Sequence, residues 1–568
     1  MEELSIRIAG QAGQGMQTIG EVLCRMFKSA GYHIFAHQDN MSRIRGGNNY
    51  FQLRIAANPV YTLRAKADII VSLDKASLAI HKKDLASPGI IIADKKKFAI
   101  TETDDSIFDV PLTELAQEAG GKDIFVNSVS CGMIAGIVGI SFSYLEQVLN
   151  QVFADKPPEI ININITSARK GFEFSGNNFK NDTFKVAADK IRDNLLLTGT
   201  DAMVLGAIKA GCKFYSAYPM SPSTGIMEGM SRNSQQFGIL VEQAEDEIAA
   251  INMIIGASFC GVRSMAATSG GGFALMVEGL SLAGMTETPI VVAVAQRPGP
   301  ATGFPTRTEQ GDLEFILSAG HGEFARVLYT PGTIEEAFYL TGKAFQVAEK
   351  YQIPVLILSD QHLAESYRDV ASLDQNKISS ERFIISKVES PKVKDYKRYA
   401  LTESGISPRA IPSWITDPVY ADSDEHTEEG HITEDASMRV KMVQKRFYKK
   451  MLALEKDIEE PTVENIENAK VVLLGFGSTF GVLKEACMIL KDEVGFAHLS
   501  QVWPFPKDKL SRLLKSAKKI ITVENNAGAQ LAKLLRRETG ITASESILKF
   551  DGRPFDLEYL IERVKKII

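Results

Sequence analysis

Short apolar segments that end in glycine- or proline-bearing turns recur along this chain, with helical segments between them. Residues 4–9, 264–268 and 290–295 are examples. Such alternation predicts mainly parallel sheets with helices on both faces, the α/β class. A single hydrophobic core stops growing near about 250 to 300 residues. A chain of 568 residues is therefore expected to divide into several α/β units.

Two shifts in composition suggest where these units end. A polar stretch at 175–182 marks the first boundary, and a charged, proline-bearing stretch fills 370–465. We expect three α/β units at 1–185, 195–370 and 466–568, with 159–165 as the last strand of the first unit. The segment 371–465 is interpreted as a crossover arm that lies over a partner and contains a basic helix near 438–456.

The overall charge and the cysteines exclude several classes of protein. The chain has 64 Lys and Arg against 70 Asp and Glu, so its charge of -6 favours neither nucleic acid nor a membrane surface as a partner. No apolar run reaches the roughly 18 residues that span a bilayer. The acidic N-terminal segment resembles no targeting signal, so a cytoplasmic location is expected. The five cysteines form no CxxC motif and predict neither a zinc site nor a cluster in this chain.

A first glycine cluster, Gly10, Gly13 and Gly15, follows a predicted strand and opens a predicted helix. Such a turn lets a phosphate approach the backbone at a helix N-terminus. The spacing differs from G-x-G-x-x-G, and no acidic residue ends the second strand, which disfavours NAD. Two interpretations stay open: a tight turn, or a site for a phosphorylated ligand such as coenzyme A.

A second polar cluster contains Arg45 and Gly46 among neighbouring Arg, Gly and Asn residues at 42–49. The guanidinium fork suits phosphate or carboxylate, so the segment could line an anion site. A solvated turn explains the same composition.

A loop that contains Tyr218, Pro219, Ser221 and Thr224 follows another predicted strand. Its two prolines fix an irregular backbone, and its hydroxyl groups can bind a ligand. Loops at the carboxyl ends of parallel strands are where α/β proteins bind ligands. A helix-capping Ser would explain only part of this pattern.

Three acidic residues, ending at Glu247, open a helix whose interior is almost wholly apolar. Acidic residues at a helix start complement the helix dipole, which is the simplest explanation. Glu247, however, borders the apolar run and is expected to be partly buried, where it could exchange a proton with a ligand nitrogen. Ser269 and Gly270 form a turn after the next strand, and Arg297 is placed to clamp a carboxylate.

The order of these motifs resembles the 2-oxoacid:ferredoxin oxidoreductases over nearly the whole chain. The segment 218–224 is similar to the family's Y-P-[IM]-[TS]-P-[SA]-[ST] loop, and 268–272 to the T-S-x-G turn of thiamine-diphosphate domains. The resemblance implies a gamma-type domain fused ahead of a pyrimidine-binding domain and a transketolase C-terminal-like domain. Inserts at 400–410 and 424–435 resemble the branch that acts on 2-oxoglutarate.

The resemblance also implies roles for the candidate residues. Glu247 would contact the aminopyrimidine of thiamine diphosphate as the catalytic carboxylate. Substrate contacts are expected from Ser221, Thr224 and Arg297. A five-carbon diacid also needs a second cation to clamp its distal carboxylate, and Arg307, Arg409 and His431 are the candidates, although charged side chains on loops are usually solvated. Cofactor contacts are expected from Tyr218, Pro219, Ser269 and Gly270, and coenzyme A contacts from Gly10, Gly13, Gly15, Arg45 and Gly46.

A G-D-G motif with a following Asn, which holds diphosphate and metal, is missing from the sequence. The resemblance therefore implies that a beta subunit supplies Mg²⁺ and [4Fe-4S] ligands and meets ferredoxin, in an (alpha-beta)2 assembly. The expected reaction converts 2-oxoglutarate and coenzyme A to succinyl-CoA, CO2 and reduced ferredoxin.

Three other interpretations stay open. The substrate could be pyruvate or a branched-chain 2-oxoacid. A transketolase-like enzyme would need the missing G-D-G motif in this chain. A non-catalytic nucleotide- or coenzyme-A-binding module would leave Glu247 exposed.

Overall fold

The computed structural model describes residues 2–42, 46–101, 103–467 and 469–568. They divide into two units. The first unit comprises the residues up to Leu197 together with Glu365–Ser372 and Asp556–Lys566, and the second comprises the remainder. Each unit has its own hydrophobic core.

The first unit is built on an eight-stranded sheet with the order β6-β5-β4-β1-β3-β2-β14-β7. The strands are β1 Glu3–Ala12, β2 His33–Asp39, β3 Gly46–Ala56, β4 Ala67–Ser72, β5 Leu85–Ala93, β6 Ile107–Asp109, β7 Leu195–Thr198 and β14 Tyr367–Val370. Four neighbours, β6, β5, β4 and β1, run parallel, whereas β1, β3, β2 and β14 pair antiparallel. The mainly parallel sheet expected here is thus mixed, because strands such as β2 and β3, joined by a short segment, pair antiparallel.

The helices of the first unit correct one prediction. They are α1 Met16–Ser29, α2 Lys75–His81, α3 Lys95–Phe98, α4 Leu112–Glu118, α5 Val126–Val138, α6 Phe142–Val152, α7 Pro158–Asn178 and α21 Leu557–Lys565. The strand predicted at 159–165 is wrong, since these residues lie in α7. At the crossing of α5 and α7, a Cβ on Gly132 would collide with the Ala168 carbonyl oxygen, and one on Gly171 with that of Val129. This close helix contact, invisible in the local sequence, explains the outcome.

The second unit contains a seven-stranded sheet with the order β18-β12-β13-β11-β10-β8-β9. Its strands are β8 Phe214–Ala217, β9 Leu240–Gln243, β10 Ser264–Thr268, β11 Ile290–Gln296, β12 Val327–Tyr329, β13 Pro354–Asp360 and β18 Gln501–Trp503. All neighbours are parallel except β12 and β18. The chain passes from β8 outward to β9 and then back to β10, so the strand order reverses around β8. Such a reversal opens a crevice at the carboxyl ends of the strands.

A five-stranded sheet with the order β15-β17-β16-β19-β20 completes the second unit. Its strands are β15 Thr462–Glu464, β16 Val471–Phe476, β17 Val494–Leu499, β19 Lys519–Glu524 and β20 Glu545–Leu548. Apolar side chains of both sheets, such as Val292 and Leu474, are buried in one shared core.

The helices of the second unit follow most of its strands. They are α8 Gly199–Lys209, α9 Thr224–Phe237, α10 Glu247–Phe259, α11 Gly270–Phe273, α12 Val277–Met285, α13 Leu313–Ser318, α14 Ile334–Tyr351, α15 Gln361–Glu365, α16 Ala436–Val443, α17 Lys450–Leu454, α18 Phe480–Leu490, α19 Lys507–Leu514 and α20 Gln530–Thr539. A π-helical turn, Gln444–Lys449, joins α16 to α17, so the predicted basic helix is confirmed. None of the described helices is long and apolar enough to cross a bilayer.

The segment 373–435 and the helices that follow it are anchored on their own chain by buried charges. Arg398 donates to the Glu287 carbonyl oxygen and to Gln352 Oε1, both at 2.7 Å. Lys445 and Lys450 form ion pairs with the buried Glu287 carboxylate. The contact of this arm with a partner stays a prediction.

Candidate active site

The loop after β8 forms one wall of the crevice. Its turn is closed on the Met220 carbonyl oxygen, which accepts from Ser223 N at 2.9 Å and from Ser223 Oγ at 2.7 Å. Tyr218 remains 41% exposed, and α9 begins at Thr224. The loop therefore presents Tyr218, Pro219 and Ser221 from a fixed backbone.

Glu247 is the first residue of α10, but it does not cap the helix. The capping residue is Asp246, whose side chain accepts a hydrogen bond from Ala249 N at 2.7 Å. Glu247 instead is only 3% exposed, and its Oε1 has no hydrogen-bond partner among the described residues. An orphaned buried carboxylate oxygen is costly, so its retention here points to a ligand that completes its bonding.

The short glycine turn of α11 lies directly against this carboxylate. A Cβ on Gly272 would collide with Glu247 Oε1 and Thr268 Oγ1. Ser269 Oγ contacts the sulfur of Met220, which links this turn to the loop after β8. The absence of a side chain at Gly272 thus lets the Glu247 carboxylate and the Thr268 hydroxyl pack directly against this turn.

Arg297 follows β11 and reaches across the same crevice. Its Nη1 donates to the Ser221 carbonyl oxygen at 2.8 Å. Burial lowers the pKa of Arg297, and the charge of Asp312 opposes that change. The structure therefore brings together two predicted substrate residues, Ser221 and Arg297, and the remaining N–H groups of the guanidinium can bind a carboxylate.

Sequence reasoning missed two acidic residues of this crevice. The Asp312 carboxylate lies so close to Gly270 that a Cβ there would collide with it. Burial raises the pKa of Asp312 to about 6, although Arg297 lowers it, and burial together with the charge of Asp312 raises the pKa of Glu309 to about 6. The sequence signal that could have indicated them is their position shortly after the loop that begins at Arg297.

Comparison with known proteins agrees with this geometry. A 2-oxoacid:ferredoxin oxidoreductase subunit alpha from a Sulfolobus species is 34% identical over 626 residues, covering 100% of this chain and 97% of the relative. The chain belongs to the 2-oxoacid:ferredoxin oxidoreductase family. It is an alpha subunit of such an oxidoreductase, as the resemblance of its motifs predicted.

Models of three domains of this family match successive parts of the chain. Residues 5–174 match pyruvate ferredoxin/flavodoxin oxidoreductase, 205–445 match the thiamine-diphosphate-binding domain of pyruvate flavodoxin/ferredoxin oxidoreductase, and 469–559 match core domain II of pyruvate:ferredoxin oxidoreductase. A thiamine-diphosphate-binding domain therefore contains the crevice around Glu247.

Two further proteins bear on the substrate. A solved 2-oxoglutarate:ferredoxin oxidoreductase from Magnetococcus marinus, with 2-oxoglutarate, coenzyme A and succinyl-CoA bound, superposes with a TM-score of 0.92 at 30% identity over 100% of this chain and 99% of that one. The 2-oxoglutarate synthase subunit KorA of Methanothermobacter thermautotrophicus is 30% identical over 66% of this chain and 99% of the relative.

Arg409, predicted to clamp a second substrate carboxylate, does not lie in the crevice of this oxidoreductase subunit. It is 4% exposed, donates to the Ser258 carbonyl oxygen and lies 3.7 Å from Glu349 Oε1. Ser258 is near the end of α10, roughly 16 Å along the helix from Glu247 at about 1.5 Å per residue. The prediction for Arg409 is therefore corrected: its guanidinium is buried among structural partners.

Arg307 and His431 have different surroundings. Arg307 is half-buried and lies beside the loop after β20. A Cβ added to Gly552 in that loop would stand 3.3 Å from the Arg307 Cβ. His431 is exposed and stacks on Tyr420 with ring centroids 4.5 Å apart. Of these two, Arg307 belongs to the same loop as Arg297 and is the better candidate for the crevice.

The two glycine clusters of the first unit are neighbours in space. Gly13 and Gly15 have φ values of 93° and 79°, which favour glycine, and Gly15 precedes α1. Ala12 of β1 pairs with Gly46 of β3, so the two segments, treated separately in the sequence, meet where these two central strands pair. Gly10 lies within β1, where a Cβ would collide with Gln14. The predicted Arg45 lies outside the described residues.

Proposed function

We propose that Glu247 is the carboxylate that contacts the aminopyrimidine of thiamine diphosphate in this subunit. The observation that carries the proposal is the buried Oε1 that has no partner among the described residues, within the part of the chain that matches a thiamine-diphosphate-binding domain. A non-catalytic binding module would instead leave this side chain exposed, whereas it is 3% exposed. The residues present therefore fit the cofactor.

The other residues of the crevice orient the ligands. Bound thiamine diphosphate supplies a nucleophilic carbon and an electron sink for decarboxylation of a 2-oxoacid. Glu247 holds or releases a proton at the ring nitrogen that it faces. Arg297 binds the substrate carboxylate beside Ser221 and Thr224. The cofactor is lined by Tyr218, Pro219, Ser269 and Gly270.

We propose that a beta subunit completes the site. Within the described residues, no group of three or more His, Cys, Asp or Glu side chains could hold a metal ion. The helix that begins at Glu247 is strongly apolar, yet Ile248 is 49% and Met253 40% exposed on one face, with Gly256 also exposed. A helix face that exposes Ile248 and Met253 around the polar Asn252 is expected to have a partner. The beta subunit would anchor the diphosphate, Mg²⁺ and [4Fe-4S] clusters and receive ferredoxin, in an (alpha-beta)2 assembly.

The family-model matches support the proposed domain organisation. We assign 1–185 to a gamma-type domain, 195–370 to the pyrimidine-binding domain, 371–465 to the arm and 466–568 to the transketolase C-terminal-like domain. Coenzyme A is proposed to bind near the glycine turns of the first unit, at Gly10, Gly13, Gly15, Arg45 and Gly46.

We propose 2-oxoglutarate as the substrate, with succinyl-CoA, CO2 and reduced ferredoxin as products. Similarity over the whole chain to the Magnetococcus marinus enzyme, and over about two thirds of the chain to 2-oxoglutarate synthase subunits, supports this choice over pyruvate or a branched-chain 2-oxoacid. A five-carbon diacid needs a cation for its distal carboxylate, and Arg307 is the candidate that remains in the crevice loop.

The test is a coenzyme-A-dependent viologen-reduction assay on the complex purified with its partner. We expect kcat/KM for 2-oxoglutarate to exceed that for pyruvate by at least about tenfold, a difference of about 1.4 kcal/mol in transition-state binding. The chain purified alone should give no turnover. Equal or reversed rates would remove the substrate assignment, and turnover by the isolated chain would remove the partner assignment.

A further inference from the structure

Gln310, at the base of the crevice loop formed by residues 297–312, is completely buried and uses all of its hydrogen-bonding groups. Its backbone N donates to the Asn525 carbonyl oxygen at 2.7 Å, and Asn525 N donates back to Gln310 Oε1 at 3.0 Å. Gln310 Nε2 donates to the Phe476 carbonyl oxygen at 2.8 Å, and its own carbonyl oxygen accepts from Asn526 Nδ2 at 3.3 Å. A buried network in which every member is satisfied holds one geometry, so these bonds fix the base of the loop.

The residues that hold this base belong to the C-terminal sheet of the same unit. Phe476 ends β16, and the segment 524–530 begins at the last residue of the neighbouring strand β19. The same segment supplies Gln530, whose Nε2 donates to the Gly311 carbonyl oxygen at 2.7 Å and whose Oε1 accepts from Glu314 N at 2.9 Å. The carboxyl ends of two adjacent strands thus form a seat for the crevice loop.

The side chain of Asn525 holds a second segment, the loop after β20. Its Nδ2 donates to the Lys549 carbonyl oxygen at 2.6 Å and to the Arg553 carbonyl oxygen at 3.2 Å. Gly552, in this second loop, packs on Arg307: a Cβ there would also meet Arg307 Cγ at 3.6 Å. The backbone of residue 525 therefore holds the loop that carries Arg307, and its side chain holds the loop against which Arg307 packs.

We infer that Gln310 is a positioning residue for substrate selection: its pairing with Asn525 sets the position of Arg307, and thereby the preference for a 2-oxo diacid over a 2-oxo monoacid. The inference rests on the proposed contact of Arg307 with the distal carboxylate. A guanidinium recognises a carboxylate through paired N–H groups, whose geometry is strict. A misplacement of about 1 Å can cost about 10²-fold in activity, so the backbone that carries the arginine must be held firmly.

The other parts of the crevice have separate supports. Arg297 follows β11 and donates to the Ser221 carbonyl oxygen, and Glu247 is carried by α10. Loosening the base of the crevice loop should therefore displace Arg307 while leaving the groups proposed to bind the proximal carboxylate and thiamine diphosphate in place. A general loss of stability would affect both substrates equally, whereas loss of the Arg307 position should affect only the diacid.

The experiment uses Gln310→Met, which keeps the length of the side chain but lacks the amide. In the purified complex, Gln310→Met should raise KM for 2-oxoglutarate about tenfold and lower the ratio of kcat/KM for 2-oxoglutarate over pyruvate by the same factor. The kcat values, KM for pyruvate and the affinity for thiamine diphosphate should each change by less than about threefold. Viologen reduction and cofactor titration measure these quantities.

Two further variants complete the design. Gln530→Ala removes a half-exposed side chain from the same seat and should lower the substrate ratio in the same direction, by about threefold, even if Gln310→Met fails to fold. Thr330→Val is the matched control, since Thr330 Oγ1 makes another buried hydrogen bond between the two sheets, to the Leu499 carbonyl oxygen at 2.8 Å. This control should keep the wild-type ratio.

An unchanged ratio in folded Gln310→Met, or in Gln530→Ala where Gln310→Met does not fold, would overturn the inference, as would an equal fall in Thr330→Val. Arg307→Lys separates this failure from failure of the proposed contact. If Arg307→Lys lowers the ratio and Gln310→Met does not, only the positioning role is wrong. If Arg307→Lys leaves the ratio unchanged, Arg307 does not bind the distal carboxylate, and both proposals fail.

Discussion

Glu247 and Glu349, two carboxylates of the second unit, are equally buried but have opposite surroundings. Each is 3% exposed. The Glu349 carboxylate accepts hydrogen bonds from Arg263 Nη2 and Arg382 Nη2, each at 2.8 Å. Arg409 Nη1, which lies near the end of α10, is 3.7 Å from Glu349 Oε1. Glu247, at the start of α10, has an oxygen with no partner among the described residues.

This difference separates a structural charge from one kept for a ligand. The arginines lower the pKa of Glu349 against the effect of burial, so its carboxylate is held in the charged form that stabilises its neighbours. Removing one partner of such a buried cluster leaves uncompensated charge. Within the described residues, no cation pairs with the Glu247 carboxylate, so the fold should tolerate its removal whereas the chemistry should not.

The largest effect is expected from Glu247→Gln. The amide keeps the shape of the side chain but cannot hold the proton, so kcat should fall by about 10² to 10⁴, the usual contribution of a positioned acid or base. Viologen reduction by the complex measures this loss, and titration of cofactor-free complex with thiamine diphosphate and Mg²⁺ measures the accompanying loss of affinity. Unchanged values for both would place Glu247 outside the site.

Glu349→Ala, in contrast to Glu247→Gln, should lower the stability of the fold. We expect the free energy of unfolding of the isolated chain to fall by about 3 to 5 kcal/mol, because the buried Arg263 and Arg409 lose the carboxylate that they share with the exposed Arg382. Glu247→Ala is the matched control and should change it by less than about 1 kcal/mol. Denaturant unfolding followed by circular dichroism measures both. Similar losses in the two variants would erase the distinction between these carboxylates.

Gly272→Ala tests the close contact between the glycine turn and Glu247. The added methyl group would meet the Thr268 hydroxyl and the Glu247 carboxylate, so cofactor affinity should fall by about 1 to 3 kcal/mol, the usual effect of overpacking. Gly176→Ala, in α7, has open space around its Cβ and serves as the control. Equilibrium titration with thiamine diphosphate measures both. Wild-type affinity in Gly272→Ala would mean that the position of the Glu247 carboxylate against this turn does not matter for cofactor binding.

The smallest effect is expected from Arg409→Lys. Loss of the guanidinium fork should lower stability by about 1 kcal/mol and leave the preference for 2-oxoglutarate over pyruvate unchanged. Arg307→Lys is the counterpart in the crevice loop and should reduce that preference. The ratio of kcat/KM values for the two substrates measures the contrast. A reduced ratio in Arg409→Lys would restore Arg409 as a substrate residue.

The sequence predicted those parts of the fold that local patterns determine. Strands such as β10 and β16 and the turns at Gly13 and Gly15 appear where their apolar runs and glycines indicate. The error at 159–165 arose because alternating Ile residues fit a strand, while the close crossing of α5 and α7 at Gly132 and Gly171 makes them helical.

Some residues of the candidate site could be predicted from local sequence, and others could not. Tyr218, Ser221 and Arg297 follow strands directly, so the sheet itself brings them together. The burial of Arg409 and the approach of Asp312 to Gly270 depend on contacts between segments far apart in sequence. From sequence alone, a charged residue on a long connection is interpreted as solvated, because its contacts with distant segments cannot be predicted.

Because Glu247 is the first residue of α10 and the exposed apolar face runs along the same 13-residue helix, one rigid rod about 20 Å long carries both the carboxylate and the proposed docking surface. A neighbour that shifted this rod slightly would move the carboxylate with it. Assembly and reactivity would then vary together, because the association of the subunits would determine the position of the Glu247 carboxylate.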